Sequence, residues 1–176
     1  MGLTPLDGLI MGTRCGSIDA SVVFFLCDRL NMTPEQVKEV FNKESGMLAL
    51  SGISSDMRPI EEGFINGEPK CVLAFEMYAY RLAKFISSYY VPLGHVDAIS
   101  FAGGIGENSD IIRKLTCDLL QEPFGVKIDD EANAKYMGFK GNGSGKVSTD
   151  DSKVAVFMIQ TNEELMIARS AMKFVK

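Results

Sequence analysis

The alternation of apolar and polar positions changes rhythm several times along the chain, and each change marks an element. Residues 1–10 read as an extended lead-in and residues 11–17, MGTRCGS, as a loop bracketed by glycines. The stretch 19–30 is apolar nearly all round, which predicts a buried helix capped by Asp19 or Ser17. Residues 32–46 carry a fuller signature. Thr33 is the N-cap, Pro34 suits the first helical position, Gln36 completes a capping box, Gly46 is the stop, and Val37, Val40 and Phe41 form the apolar stripe. Residues 48–63 place Gly52, Ser54, Ser55 and Asp56 ahead of Pro59 and predict a polar connector. From Glu68 to Tyr90 a long helix follows. Its polar residues, Glu76, Arg81, Lys84 and Ser88, form a narrow stripe, so most of its circumference asks for cover, a second subunit included.

Two segments then share one plan. Residues 96–120 read as strand, glycine loop, helix, and residues 153–174 as strand, polar loop, helix. A continuous apolar strand followed directly by a helix points to a parallel sheet covered on both faces, whose ligands sit at the C-terminal strand ends. Between the two, residues 125–151 offer a short strand, a modest helix and a glycine-serine surface loop from Gly141 to Gly145. The fold class expected is α/β.

Composition narrows the function classes. A chain of 176 residues is about one domain and can bury about 70% of its unfolded surface. The net charge of -5, with no basic block, argues against nucleic acid or an anionic membrane as partner, and no apolar run reaches membrane-spanning length. The cysteines, Cys15, Cys27, Cys71 and Cys117, form no Cys-x-x-Cys pair and no apolar leader precedes them, which fits a reduced, cytoplasmic setting. With one histidine, His95, in a turn before a strand, neither a histidine-based triad nor a histidine-rich metal site can be assembled within the chain.

Residues 101–110, FAGGIGENSD, carry the most chemistry. Gly104, Ile105, Gly106, Glu107 and Asn108 nearly match a dinucleotide fingerprint, but Ser109 replaces its third glycine and no acidic residue ends a second strand. A dinucleotide-dependent oxidoreductase domain is therefore one reading. The glycines let a bulky group approach the backbone, and Glu107 suits ribose hydroxyls or an adenine amino group better than a polyphosphate. The plainer reading is a capping turn in which Glu107 and Asp110 complement a helix dipole. In TNEE, Thr161 and Glu164 form a capping box, which leaves Glu163 as a magnesium ligand or as dipole complement. Arg14 could present its guanidinium to phosphoryl oxygens from a flexible loop, and Asp56 and Arg58 could bind a ligand or form a surface ion pair. No P-loop and no Gly-x-Ser-x-Gly motif occurs.

Taken in order, MGTRCGSID, SSDMR, FAGGIGENS and TNEE resemble the C-terminal half of the acetate kinase family, whose relatives include propionate and butyrate kinases; the likeness covers nearly the whole chain. The resemblance implies a ribonuclease-H-like lobe of the acetate and sugar kinase, heat-shock chaperone and actin superfamily, lacking its early strands, with residues 1–176 forming one nucleotide-binding lobe. It implies ATP-dependent phosphorylation of acetate, reversible to ATP, with magnesium, in a cytoplasmic homodimer. Arg14 would stabilise the transferring phosphoryl group. Asp56, Met57 and Arg58 with residues Gly104 to Asn108 would hold the nucleotide, and Glu163 would help bind magnesium. The N-terminal half, which supplies the groups facing the acyl phosphate, would have to come from elsewhere, so the chain alone is expected to be inactive. It could act instead as a non-catalytic nucleotide-binding or oligomerisation module. Some relatives use pyrophosphate as donor. Gln160 stands where the family carries proline, which bears on how the last loop enters.

Overall fold

The computed structural model describes residues 2–138 and 141–174; Met1 of the lead-in and Phe139 and Lys140 of the segment before the glycine-serine loop lie outside them. The chain divides into two compact units, Met1–Tyr89 and Tyr90–Lys176.

The first unit is helical: α1 (Ser21–Leu30), α2 (Pro34–Lys43), α3 (Gly46–Ser51), α4 (Met57–Ile65) and α5 (Pro69–Ser88). Helix α2 forms with the Thr33–Gln36 capping box closed in both directions and Val37 and Phe41 buried, but Gly46 is not its stop: the helix ends at Lys43 with Glu44 as C-cap, and Gly46 opens α3. Two further expectations need correction. Helix α1 is not a core helix: none of its residues is buried, and Phe24 and Phe25 are 68% and 59% exposed. Asp19 accepts from the Ser21 N–H, but the cap position belongs to Ala20. The connector expected at 48–63 is mostly helix, α3 and α4, with the turn confined to the residues around Gly52 to Asp56. Pro59 sits in the first turn of α4, where its missing N–H costs nothing, so the residues that look like loop formers serve as helix ends. Within this chain α5 is covered on one side. Cys71, Ala74, Phe75, Tyr78, Ala79 and Ala83 are buried while Leu73, Met77 and Tyr80 are exposed. Phe75 stacks on Phe64 with ring centroids 5.0 Å apart, a burial that contributes roughly 1.5–3 kcal/mol.

The second unit contains α6 (Tyr90–Leu93), β1 (Ala98–Phe101), α7 (Gly103–Asn108), α8 (Asp110–Phe124), α9 (Asp130–Lys135), β2 (Gly145–Lys146), β3 (Ala155–Met158) and α10 (Glu163–Met172). The sheet order is β1-β3-β2. Strands β1 and β3 run parallel, as their strand-then-helix patterns require, with Phe101 opposite Met158; β2 is antiparallel to β3, so the sheet is mixed. Ile99, Phe101, Val156 and Met158 point into the core beside Ile112, Leu120 and Val147. The opposite face is open at Ala98 and Ser100, which corrects the expectation of cover on both sides: an apolar run sets strand formation but not what lies over each face. His95 is in an exposed turn, paired with Asp97 at 3.1 Å.

Candidate functional site

At the C-terminal ends of β1 and β3 the structure forms a cavity of about 520 Å³, lined by Gly103, Gly104, Glu107 and Asn108 on one side and residues 160–164 on the other. The strand ends are joined by the Ile159 N–H donating to the Phe101 carbonyl at 2.8 Å, which brings the two following segments side by side. The glycine segment is not a loop. From Gly103, at φ +73°, it winds into the six-residue helix α7, and Ser109 then caps α8 through Oγ, which accepts from the Ile112 N–H at 3.3 Å. A dinucleotide cradle, with its glycine turn opening straight into one long helix, is therefore not formed. A side chain at Gly103 or Gly104 would meet nothing within 4 Å, so the space above this backbone is open to a ligand. Ile105 is half-buried and its carbonyl accepts from the Ser109 N–H at 3.0 Å; the Asn108 amide donates to the Gly104 carbonyl at 2.9 Å.

Glu107 is 7% exposed. Its Oε1 accepts from the Gly103 N–H at 3.0 Å, the Thr161 N–H at 2.9 Å and the Thr161 hydroxyl at 2.6 Å. Burial alone would raise its pKa, but the bonds from Thr161 and Gly103 together outweigh that penalty and hold the carboxyl below its ordinary value. Because the Thr161 hydroxyl is engaged by Glu107, the capping box expected from Thr161 and Glu164 does not form. Asn162 caps α10 instead, accepting from the Leu165 N–H at 2.9 Å, and Glu163 and Glu164 occupy the exposed first turn. Gln160 uses its backbone N–H, donating to Ser144 Oγ at 2.8 Å, a bond that proline there could not make.

The other candidates belong to the first unit. The Arg14 loop is not flexible as expected. Cys15 N–H donates to the Phe41 carbonyl, Ser45 N–H to that of Thr13, Met47 N–H to that of Met11 and Leu48 N–H to that of Gly12, stitching the loop to α2 and α3. Among the described residues the half-buried Arg14 guanidinium has no ion-pair partner. Asp56 caps α4 through the Arg58 N–H at 2.9 Å and pairs with the Arg58 guanidinium, which holds its carboxyl down at about 2. Met57, between them, is half-buried at the start of α4. The Arg14 loop and the Asp56 turn adjoin: a side chain on Gly12 would come within 2.7 Å of the Ser55 carbonyl. The structure thus gathers Arg14 with Asp56, Met57 and Arg58 in one unit, and residues Gly104 to Asn108 with Glu163 in the other.

Sequence reasoning passed over Arg113. It is completely buried in α8, its guanidinium donating to Asn133 Oδ1 at 2.7 Å and to the carbonyls of Gly106 at 2.8 Å, Asn133 at 2.6 Å and Tyr136 at 3.0 Å. The signal was available: Arg113 stands on the same face as Thr116, Cys117 and Leu120, where only a fully hydrogen-bonded cation can be buried. Among the described residues, no three His, Cys, Asp or Glu side chains gather to hold a metal ion. The lone carboxylates at the cavity mouth suit a hard divalent cation that keeps most of its waters or shares phosphate oxygens, rather than one caged by protein.

Residues 1–169 match the model of the Acetokinase family. An acetate kinase from Shewanella woodyi is 50% identical over 176 residues, covering 100% of this chain and 43% of that protein. Among solved structures, acetate kinase from Porphyromonas gingivalis superposes with a TM-score of 0.89 at 38% identity, covering 100% of this chain and 43% of that one. A propionate kinase from Francisella tularensis superposes with a TM-score of 0.86, also at 38% identity, covering 96% and 41%. The chain thus spans less than half the length of the curated relatives it matches.

Proposed function

The chain belongs to the acetokinase family, and from that premise we propose that it is the nucleotide- and magnesium-binding C-terminal lobe of an enzyme that transfers phosphate between ATP and acetate, giving acetyl phosphate and ADP. The observation that carries this reading is the cavity at the ends of β1 and β3, with open space over Gly103 and Gly104 and carboxylates at its rim. Parallel sheets bind ligands at that edge.

In this reading Gly104, Ile105, Gly106, Glu107 and Asn108 line the nucleoside end, with Asp56, Met57 and Arg58 as further nucleotide contacts. Glu163 would hold magnesium, which when bound neutralises charge on the phosphate oxygens. Arg14, held by its pinned loop, would present a guanidinium to the transferring phosphoryl group; a fixed fork matches those oxygens and needs little reorganisation. Phosphoryl transfer depends on groups positioned around the reacting centre. In this reading the groups facing the acyl end come from the part of the enzyme that this chain does not span. The chain by itself therefore binds nucleotide without turning over. Cytoplasmic location and a homodimeric parent enzyme belong to the same proposal, as does ATP rather than pyrophosphate as donor. The chain is equally identical to an acetate kinase and a propionate kinase structure, and propionate or butyrate is the alternative acyl acceptor of this reading.

Titration calorimetry of the purified chain with ADP tests the proposal. Binding that requires magnesium, and that Glu163→Gln weakens, is the expected result. Absence of magnesium-dependent nucleotide binding, or binding of NAD indifferent to magnesium, would overturn it.

A further inference from the structure

Among the described residues Glu107 is the one carboxylate of the cavity wall that is buried, and its side-chain hydrogen bonds run to protein through a single oxygen, Oε1. Its three donors come from two segments far apart in sequence, Gly103 at the start of α7 and Thr161 before α10. The α7 side of this link is fixed independently: Arg113 holds the Gly106 carbonyl at 2.8 Å, and the Gly138 N–H donates to the Glu107 carbonyl at 3.0 Å. The α10 side is not. Helix α10 buries none of its residues, so packing does little to place its first turn. What fixes that turn beyond the end of β3 is the pair of bonds from Thr161 to Glu107, with those of Gln160 to Ser144 Oγ at 2.8 Å and to the Gly138 carbonyl at 3.2 Å.

We infer that Glu107 is a positioning residue: its Oε1 clamps the start of α10 to α7, and so sets the distance across the cavity and the placement of Glu163. The inference rests on the nucleotide reading only for its effect on binding; the clamp itself stands on the hydrogen bonds. An oxygen already accepting three bonds has no lone-pair direction left for a ligand, so Oε1 acts through Thr161. Charge-assisted bonds of this kind are about twice as strong as neutral ones, which suits a link that must hold an otherwise unpacked helix start.

Two measurements on the 176-residue chain decide it. In the ligand-free protein, amide hydrogen exchange followed by NMR is expected to quicken at least about tenfold at Gly103 and Thr161 in Glu107→Ala. Glu107→Gln, which keeps an acceptor oxygen, is expected to fall between wild type and Glu107→Ala; it also provides the comparison should the alanine variant fold poorly. Unchanged exchange at both amides in either variant would overturn the clamp. The second measurement is a double-mutant cycle on MgADP affinity with Glu107→Ala and Thr161→Val. Each single change is expected to weaken binding about tenfold, the double no more than Glu107→Ala, and Thr161→Ser to restore affinity. Additive losses would assign Glu107 a direct ligand contact and overturn the inference. If the wild-type chain binds no MgADP, the proposed function falls, while the exchange experiment still judges the clamp.

Discussion

With one guanidinium Arg113 reaches the Asn133 side chain, the carbonyls of Gly106, Asn133 and Tyr136, and Met137 Sδ, and nothing smaller or shorter could do so from the same place in α8. Removing it takes the donor from the buried Asn133 carbonyl and from the part-buried carbonyls of Gly106 and Tyr136, so Arg113→Met is expected to cost about 3 kcal/mol in urea unfolding. A loss below about 1 kcal/mol would show that those groups find other partners. Asp56 lends itself to a pH test. Its carboxyl, held at about 2 by Arg58 against an ordinary 3.8, is lowered in the folded state. The capping bond and ion pair are therefore complete above the ordinary value and are lost as pH falls toward 2. An NMR titration of the Asp56 carboxyl carbon should have its midpoint near 2; a midpoint near 3.8 would mean that the pair is not populated in solution. Cys117, buried and pushed up to about 12, mainly by burial and then by the Asp118 charge, should resist thiol reagents until the protein unfolds.

At the scale of elements, the ends of helices decide more than their middles. Thr33→Ala breaks the capping box of α2 and is expected to cost about 1 kcal/mol by thermal or chemical unfolding. Gly46→Ala should cost more, at least about 2 kcal/mol, because Gly46 is at φ +64° and its Cβ would lie 2.1 Å from the Met11 carbonyl. The same change should disturb the loop that carries Arg14, so nucleotide affinity and stability should fall together. These ends also mark what could be read from the sequence. The Thr33–Gln36 box and the two parallel strands, each followed by a helix, are local patterns and are found as read, although the glycine segment after β1 is a short helix rather than a loop. Where two helix starts compete, local reading is ambiguous: Thr161 and Asn162 are both good caps, and the choice between them is made by Glu107, 54 residues away. The helices α3 and α4 were hidden for a related reason, since Gly52, Asp56 and Pro59 serve turns and helix ends alike. In α1, an all-round apolar face states a need for cover without saying what supplies it.

For the molecule as a whole, the proposed division of labour predicts binding without turnover. Acyl phosphate formation by the purified chain should be undetectable in a hydroxamate assay, and robust activity in a sample free of longer enzyme would reject that division. Self-association is the second expectation at this scale. Leu73, Met77 and Tyr80 lie exposed along α5, and one edge of β1 has no strand partner among the described residues. Sedimentation should show species heavier than a monomer as concentration rises, reduced by Leu73→Glu; one monomeric species at every concentration would refute this. The pairing of β1 with β3 has a further effect on the cavity. A slip of one residue between them would carry Thr161 about 3.3 Å along the strand and turn Val156 and Met158 outward. The Thr161 hydroxyl, now 2.6 Å from Glu107 Oε1, would be out of reach. Two short strands with buried side chains thus serve as a ruler for the site, and a mispacked core would be felt first as a cavity of the wrong width.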